Sequence, residues 1–195
     1  MPRHRLLALS LLILCAVAAP ILAAEPTSRA PILLVAAEDL EDSNFSGTVV
    51  LVVFPTGGPP TGVILNKPSE LAVKDAFPDD QQLRTHAEKV FFGGPVRLDV
   101  LTYLVRNTKS PKEGYKLLDN LYLTQDAGYL DSLLAKRGKV ERFFLGTAVW
   151  MQEQLDAEIA AHQWFVLPAD LDSILNTHPE TLWRSLLAKA TAVET

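Results

Sequence analysis

Thr48 to Phe54 (TVVLVVF) is a seven-residue run of four valines with threonine, phenylalanine and one good helix former, Leu51, and it constrains the fold more than any other segment. β-Branched side chains lose rotamer freedom in a helix and pack well on a pleated surface, so this run predicts a strand. Pro55-Thr56-Gly57-Gly58-Pro59-Pro60 follows at once, and such a string can only turn. Gly62 to Leu65 (GVIL) is then a second strand, so the pair predicts a hairpin and antiparallel pairing. Short apolar or alternating segments at Ile32 to Ala37, Lys89 to Phe92, Val100 to Arg106, Leu121 to Thr124, Glu141 to Ala148 and Trp164 to Leu167 predict six further strands.

The helical signals lie mostly in the second half. Asp126 is placed to cap a helix with Leu130, Leu133 and Leu134 on one face and Gly138 as its stop. Trp150 to His162 is amphipathic, with Met151, Leu155 and Ile159 four residues apart. Thr177 and Glu180 have the spacing of a capping box ahead of Leu182, Trp183, Leu186 and Leu187. A short helix is expected over Glu70 to Phe77, a helical turn within the acidic stretch Glu38 to Phe45, and a polar surface stretch over Asp79 to Arg84. Strands early, helices late and hairpin-length connections predict one α+β domain with mostly antiparallel pairing.

The chain begins like an exported protein. Arg3, His4 and Arg5 precede the apolar run Leu6 to Ala19, and small residues stand at Ala23 and Ala24. Basic start, apolar core and small residues at a cut predict a signal peptide over residues 1–24. Residues 25–31 then read as a linker and residues 32–190 as the domain. An uncleaved inner-membrane anchor is the alternative, because Leu6 to Ala24 approaches the ~20 residues that span a bilayer. Both readings put the domain outside the cytoplasm, periplasmic or secreted, and membrane association follows only if the signal stays attached. The single cysteine, Cys15, lies inside that signal, so the domain beyond it has no thiol for disulfides, catalysis or metal ligation. Removing the two arginines of the first 24 residues from the chain's 18 basic residues leaves 16 against 23 acidic ones, a balance of −7. A negative surface disfavours nucleic acid, whose binding is built on neutralising phosphates.

The motifs of familiar chemistries are absent. There is no dinucleotide or P-loop glycine pattern and no Gly-x-Ser-x-Gly elbow. His86, His162 and His178 stand alone, and Glu38, Asp39, Glu41 and Asp42 lack the ligand alternation of a calcium loop. His162 is expected at the C-terminal end of its helix, His178 at a helix start and His86 on the surface. Asn44-Phe45-Ser46 matches a glycosylation acceptor formally. No catalytic residue, metal ligand or cofactor is assigned. Two turns remain: Asn66-Lys67-Pro68, and Phe92-Gly93-Gly94-Pro95-Val96. If they meet, Asn66, Lys67, Gly93 and Gly94 form a candidate ligand-binding site, with free backbone amides beside one cation. The alternative is two tight turns that use these residues for their backbone angles.

Taken together, Asp42-Ser43-Asn44-Phe45, Gly62-Val63-Ile64-Leu65-Asn66-Lys67-Pro68 and Phe92-Gly93-Gly94-Pro95-Val96 resemble, in order and approximate spacing, the YqgE/AlgH family. Leu121-Tyr122-Leu123-Thr124, Arg142-Phe143-Phe144-Leu145-Gly146 with Trp150, Gln154 and Leu155, and Trp164-Phe165-Val166-Leu167-Pro168-Ala169-Asp170 continue the series. The resemblance implies one α+β domain with a barrel-like sheet and packed helices, in a bacterial family often described as transcriptional regulators. It brings no catalytic residues. Members usually carry a glycine-proline-glycine run after the tryptophan matched by Trp150, where this chain has Met151, Gln152 and Glu153, and Val149 replaces a customary glycine. Residues and resemblance lead to a non-enzymatic binding protein outside the cytoplasm, with a protein or peptide partner and no specified oligomeric state. The alternatives are a transcriptional regulator, and an enzyme that clamps an anion with Lys67 and the glycine turn.

Overall fold

The computed structural model describes residues 29–193. The expected signal peptide, its cleavage point and most of the expected linker fall outside these residues. Ten strands and four α-helices follow one another in the order β1 (Ile32–Ala36), β2 (Val49–Val53), β3 (Thr61–Ile64), β4 (Pro68–Ala72), α1 (Val73–Ala76), β5 (Lys89–Phe92), β6 (Val96–Arg106), β7 (Gly114–Leu118), β8 (Leu121–Thr124), α2 (Ala127–Ala135), β9 (Val140–Val149), α3 (Gln152–Ala160), β10 (Trp164–Pro168) and α4 (Pro179–Val193). A 3-10 turn covers Leu83–Thr85 and a π-helical segment Asp172–Asn176.

The strands form one curled half-barrel in the order β10-β1-β2-β3-β9-β6-β8-β7. All pairings are antiparallel except β5 with β9, and β5 also carries β4 at its side. The predicted hairpin is β2–β3, with Val50 opposite Ile64 and Val53 opposite Thr61.

Strand β9 turns the corner. Its last residues, Ala148 and Val149, pair with Gly62 and Thr61 of β3, while its earlier residues pair with β6 and β5. Between these parts Gly146 takes φ +74°, a conformation L side chains rarely adopt. A register shift in β6 between Val96 and Leu101 faces the same bend. Glycine and bulges at such positions curve a sheet.

Alternation along the strands divides the core in two. Leu33, Val35, Val49, Leu51, Val53, Val63, Leu104, Leu123 and Phe144 form one buried cluster, joined by Ile174 of the π segment and Leu182 and Leu186 of α4. Leu34, Ala36, Val50, Val52 and Ile64 form another with Trp150, Leu155 and Trp164, beneath α3. A third cluster packs α1 and α2 on Tyr103, Val105 and Phe143. Each fully buried leucine or valine contributes roughly 1.5–3 kcal/mol, which suits a domain held by packing.

Several local expectations differ from the structure. The helix expected over Glu70 to Phe77 is a strand as far as Ala72, with only Val73–Ala76 helical. Pairing with β5 decides this, and the Ser69 hydroxyl donates to the Val90 carbonyl at 2.7 Å to secure it. Glu38 to Phe45 forms turns rather than a helical turn. The Thr177 hydroxyl donates to the Asp172 carbonyl at 3.1 Å, closing the π segment instead of a capping box. Strand β7 has no counterpart among the predicted strands, and β6 starts four residues before Val100.

Candidate functional site

The two turns singled out in the sequence do meet. The Phe92 amide donates to the Lys67 carbonyl at 2.8 Å, and the Ile64 amide to the Gly93 carbonyl at 2.9 Å. Their polar groups turn into the protein. Asn66 accepts from the Val49 amide at 2.8 Å and donates to the Gly47 carbonyl at 2.9 Å. The Lys67 ammonium donates to the carbonyls of Asn44, at 2.8 Å, and Ser43, at 3.3 Å. Burial lowers its pKa below the ordinary lysine value, with the negative charge of Asp42 acting in the other direction. Gly93 and Gly94 are pressed against β9: a Cβ on Gly93 would sit 2.2 Å from the Gly146 carbonyl oxygen, and one on Gly94 2.3 Å from the Thr147 carbonyl carbon.

The histidines lie apart. His86 Nδ1 is 3.1 Å from Glu88, with its ring edge on Phe143. His162 follows α3 with φ +56°, and the His178 carbonyl accepts the Leu182 amide at the start of α4. Glu38, Asp39, Glu41 and Asp42 are all exposed. Among the described residues no group of three or more His, Cys, Asp or Glu is placed to hold a metal ion, and no helix is long and apolar enough to cross a membrane.

A cleft of about 410 Å³ opens elsewhere, where the curl of the sheet brings β3, β6, β7, β8 and β9 around one space. None of Asn66, Lys67, Gly93 or Gly94 lines it. Val63 and Leu123, both members of the inner core cluster, supply apolar lining. Thr102 and Thr124, each 2% exposed, and Thr147 bring hydroxyls into it. These hydroxyls are oriented by their neighbours. Gln125 donates to Thr102 Oγ1 at 2.8 Å, Thr124 donates to the Glu113 carbonyl, and the Asp126 amide donates to Thr124 Oγ1 at 3.1 Å.

Charge enters only at the rim, from Arg97 and Glu113. Arg97 is exposed with φ +53° at the bulge of β6, and no hydrogen bond or ion pair among the described residues reaches its guanidinium. Apolar side chains gather at the same mouth. Tyr115 and Val149, both exposed, line the cleft, and Val96 stands cross-strand from Thr147 of its wall.

Sequence reasoning missed this cleft because its lining comes from five strands and no two adjacent motifs. Its buried threonines have the residue type of ordinary β-strand positions, and one wall is β7, the strand that went unrecognised.

A second, smaller space of about 120 Å³ lies beside Phe45, Trp150 and Trp164. The three rings touch one another at centroid separations of 5.6 to 6.1 Å. Glu158 Oε2 accepts from both indoles, at 3.0 and 2.9 Å, so rings and carboxylate form one packed unit.

Comparison with known proteins agrees with this architecture. The model of the AlgH-like family (DUF179) matches residues 33–192. A UPF0301 protein of Thermobifida fusca is 36% identical over 167 residues, covering 80% of this chain and 84% of the relative. One from Cytophaga hutchinsonii is 31% identical over 160 residues, covering 80% and 86%. The solution structure of the AlgH protein from Pseudomonas aeruginosa superposes with a TM-score of 0.67 at 27% identity, over 86% of this chain and 90% of that one. A crystal structure from Corynebacterium diphtheriae gives 0.62 at 25%, over 85% and 89%. With nearly the whole described domain matched in sequence and fold, the chain belongs to the AlgH-like family.

Proposed function

We propose that this protein is a non-enzymatic binding protein acting outside the cytoplasm, and that it seats a segment of a protein partner in the cleft between β3, β6, β7, β8 and β9. One observation carries the reading: two exposed apolar side chains, Tyr115 and Val149, and the unpaired guanidinium of Arg97 border a cleft with a partly apolar lining. A volume of about 410 Å³ suits one or two side chains of a partner, and the exposed apolar rim extends the surface beyond a small-molecule pocket. The lining holds no histidine, cysteine, serine or lysine, which favours holding over chemistry. The location rests on the signal-like residues 1–24.

A photo-reactive residue at Tyr115, in protein made in its own host, tests the site. The expected product is an adduct of macromolecular mass that Val149→Asp abolishes and that the same probe at exposed Arg184 does not give. Equal labelling at Tyr115 and Arg184, or none at Tyr115, overturns the reading.

A further inference from the structure

Strand β7 ends the sheet. It pairs with β8 on one side, through Gly114–Thr124, Tyr115–Leu123 and Lys116–Tyr122, and no other backbone bond among the described residues reaches Gly114–Leu118. In an antiparallel ladder alternate amides and carbonyls point away from the partner strand, so half of the polar groups of β7 face outward. Gly114, Tyr115 and Lys116 are exposed. A space flanks the strand on each side, because Gly114 and Tyr115 line both the 410 Å³ cleft and a second one of about 240 Å³. The second runs between β7 and Arg29, Pro31, Val53, Phe54, Pro55 and Thr56.

The charge at this edge opposes that of the molecule. The two clefts are lined by Arg29, Arg97 and Lys116 against the single acid Glu113, whereas the whole chain carries −5. Arg97 is unpaired, Arg29 stacks on Phe54 at 4.7 Å from the ring centre, and Lys116 reaches Asp119 at 3.2 Å.

We infer that the occupant of this site is an extended acidic peptide segment that adds to β7 as a further antiparallel or parallel strand, with apolar side chains directed to the cleft and carboxylates meeting Arg97 and its neighbours. Main-chain hydrogen bonds supply the attraction and alternate side chains the selectivity, as in other strand-addition sites. The register shift between Lys116 and Leu118 ends the usable edge, so the docked strand pairs chiefly over Gly114–Lys116. This inference rests on the binding role proposed above.

The probe is a synthetic peptide of about six alternating valine and glutamate residues, a typical strand length, with a valine–lysine peptide as control. Affinity is measured for the full chain and for Arg97→Glu, with amide hydrogen exchange read along β7. The expected result is preferential binding of the acidic peptide, weakened about fivefold by Arg97→Glu, with slowed exchange at the outward-facing amides of Gly114–Lys116. Arg97 is solvent-exposed, so its reversal leaves the fold intact as the control. Equal affinity for the two peptides, no binding at millimolar concentration, or binding without slowed exchange at β7 overturns the inference. So does slow exchange at these outward-facing amides in the full chain without peptide, because the edge is then already paired. A Tyr115 adduct that persists in the host when the peptide test fails removes the strand geometry alone. Absence of that adduct removes the binding role.

Discussion

Gly94 and Gly146 meet main chain to main chain at the bend of β9, where a Cβ on Gly146 would lie 2.2 Å from the Gly94 carbonyl oxygen. Gly94 also has φ +147°. Gly94→Ala combines overpacking with backbone strain and should lower stability by about 3 kcal/mol, measured as a shift in the urea midpoint. Glu158 is a different kind of anchor, with one oxygen serving two nearly buried indoles. Glu158→Ala leaves both N–H groups without their acceptor and should cost about 2 kcal/mol, with altered tryptophan fluorescence as a second sign. Asp126 caps α2 by accepting from the Tyr129 amide at 2.9 Å, and it also accepts from the Lys112 amide at 3.2 Å. The Tyr129 amide is the main reason its pKa lies below the ordinary carboxylate value, against a smaller opposing effect of desolvation. The folded form therefore favours the ionised group, and the stabilisation is complete above the unfolded value of about 3.9. It is lost as pH falls through the lower folded value. Urea titrations of the native chain and Asp126→Ala should show a stability difference that is constant near neutrality and shrinks in this acid window.

Among the elements, α4 and the π segment close one side of the inner core, and α3 covers the outer face of β1–β3. Leu182 of α4 is 1% exposed. Leu182→Ala should destabilise by about 3 kcal/mol through lost burial and the cavity left behind, seen as a cooperative transition at lower urea. The π segment is held by Asp170, which accepts from both the amide and the hydroxyl of Ser173, at 2.9 and 2.7 Å. Burial raises the Asp170 pKa, and these two hydrogen bonds, the charge of Lys189 and the Asp172 amide together outweigh it, so the carboxyl's pKa lies below its ordinary value. The Trp183 indole ties α4 to the sheet by donating to the Ala36 carbonyl at 2.8 Å. The elements around the cleft are held otherwise, by the threonine and glutamine bonds between strands. Substitutions at its exposed mouth are therefore expected to change binding with little effect on stability.

For the molecule as a whole, location separates the competing roles. Fractionation of the native host with intact mass measurement should find a soluble extracytoplasmic form starting near Glu25. A full-length cytoplasmic form would instead make direct gene regulation the leading reading. Because Cys15 is the chain's only cysteine, reductant should leave the urea midpoint of the form starting at Glu25 unchanged. Strands β1 and β10 come from opposite ends of the described chain and pair along their whole lengths. Closing such long loops before their contacts form is slow, so refolding should fall in the millisecond-to-second range of non-local β topologies, checked by stopped-flow fluorescence.

Much of the fold was legible because local chemistry and tertiary context agree. The run Thr48 to Phe54 has no good alternative to a strand, the proline-glycine turn after it sets a hairpin, and Asp126 marks a helix start that the structure keeps. The Asn66–Lys67 and Gly93–Gly94 turns are legible in their residue types, but their meeting is set by the pairing of distant strands. The inward direction of their polar groups is not legible there either, since it depends on the loop Ser43–Gly47 folding over them. Residues 70–72 read as helix and fold as strand because β5 offers hydrogen-bond partners that propensity cannot foresee. Strand β7, with its lysine, glycine and bulge, carries too weak a pattern to stand out alone. Side-chain type and period are enough to specify the α+β class, the antiparallel hairpin, the lack of thiol chemistry in the domain and most element positions. The curl at Gly146, and with it the cleft, emerges from long-range pairing, because that space exists only where five strands distant in the chain bend around one another.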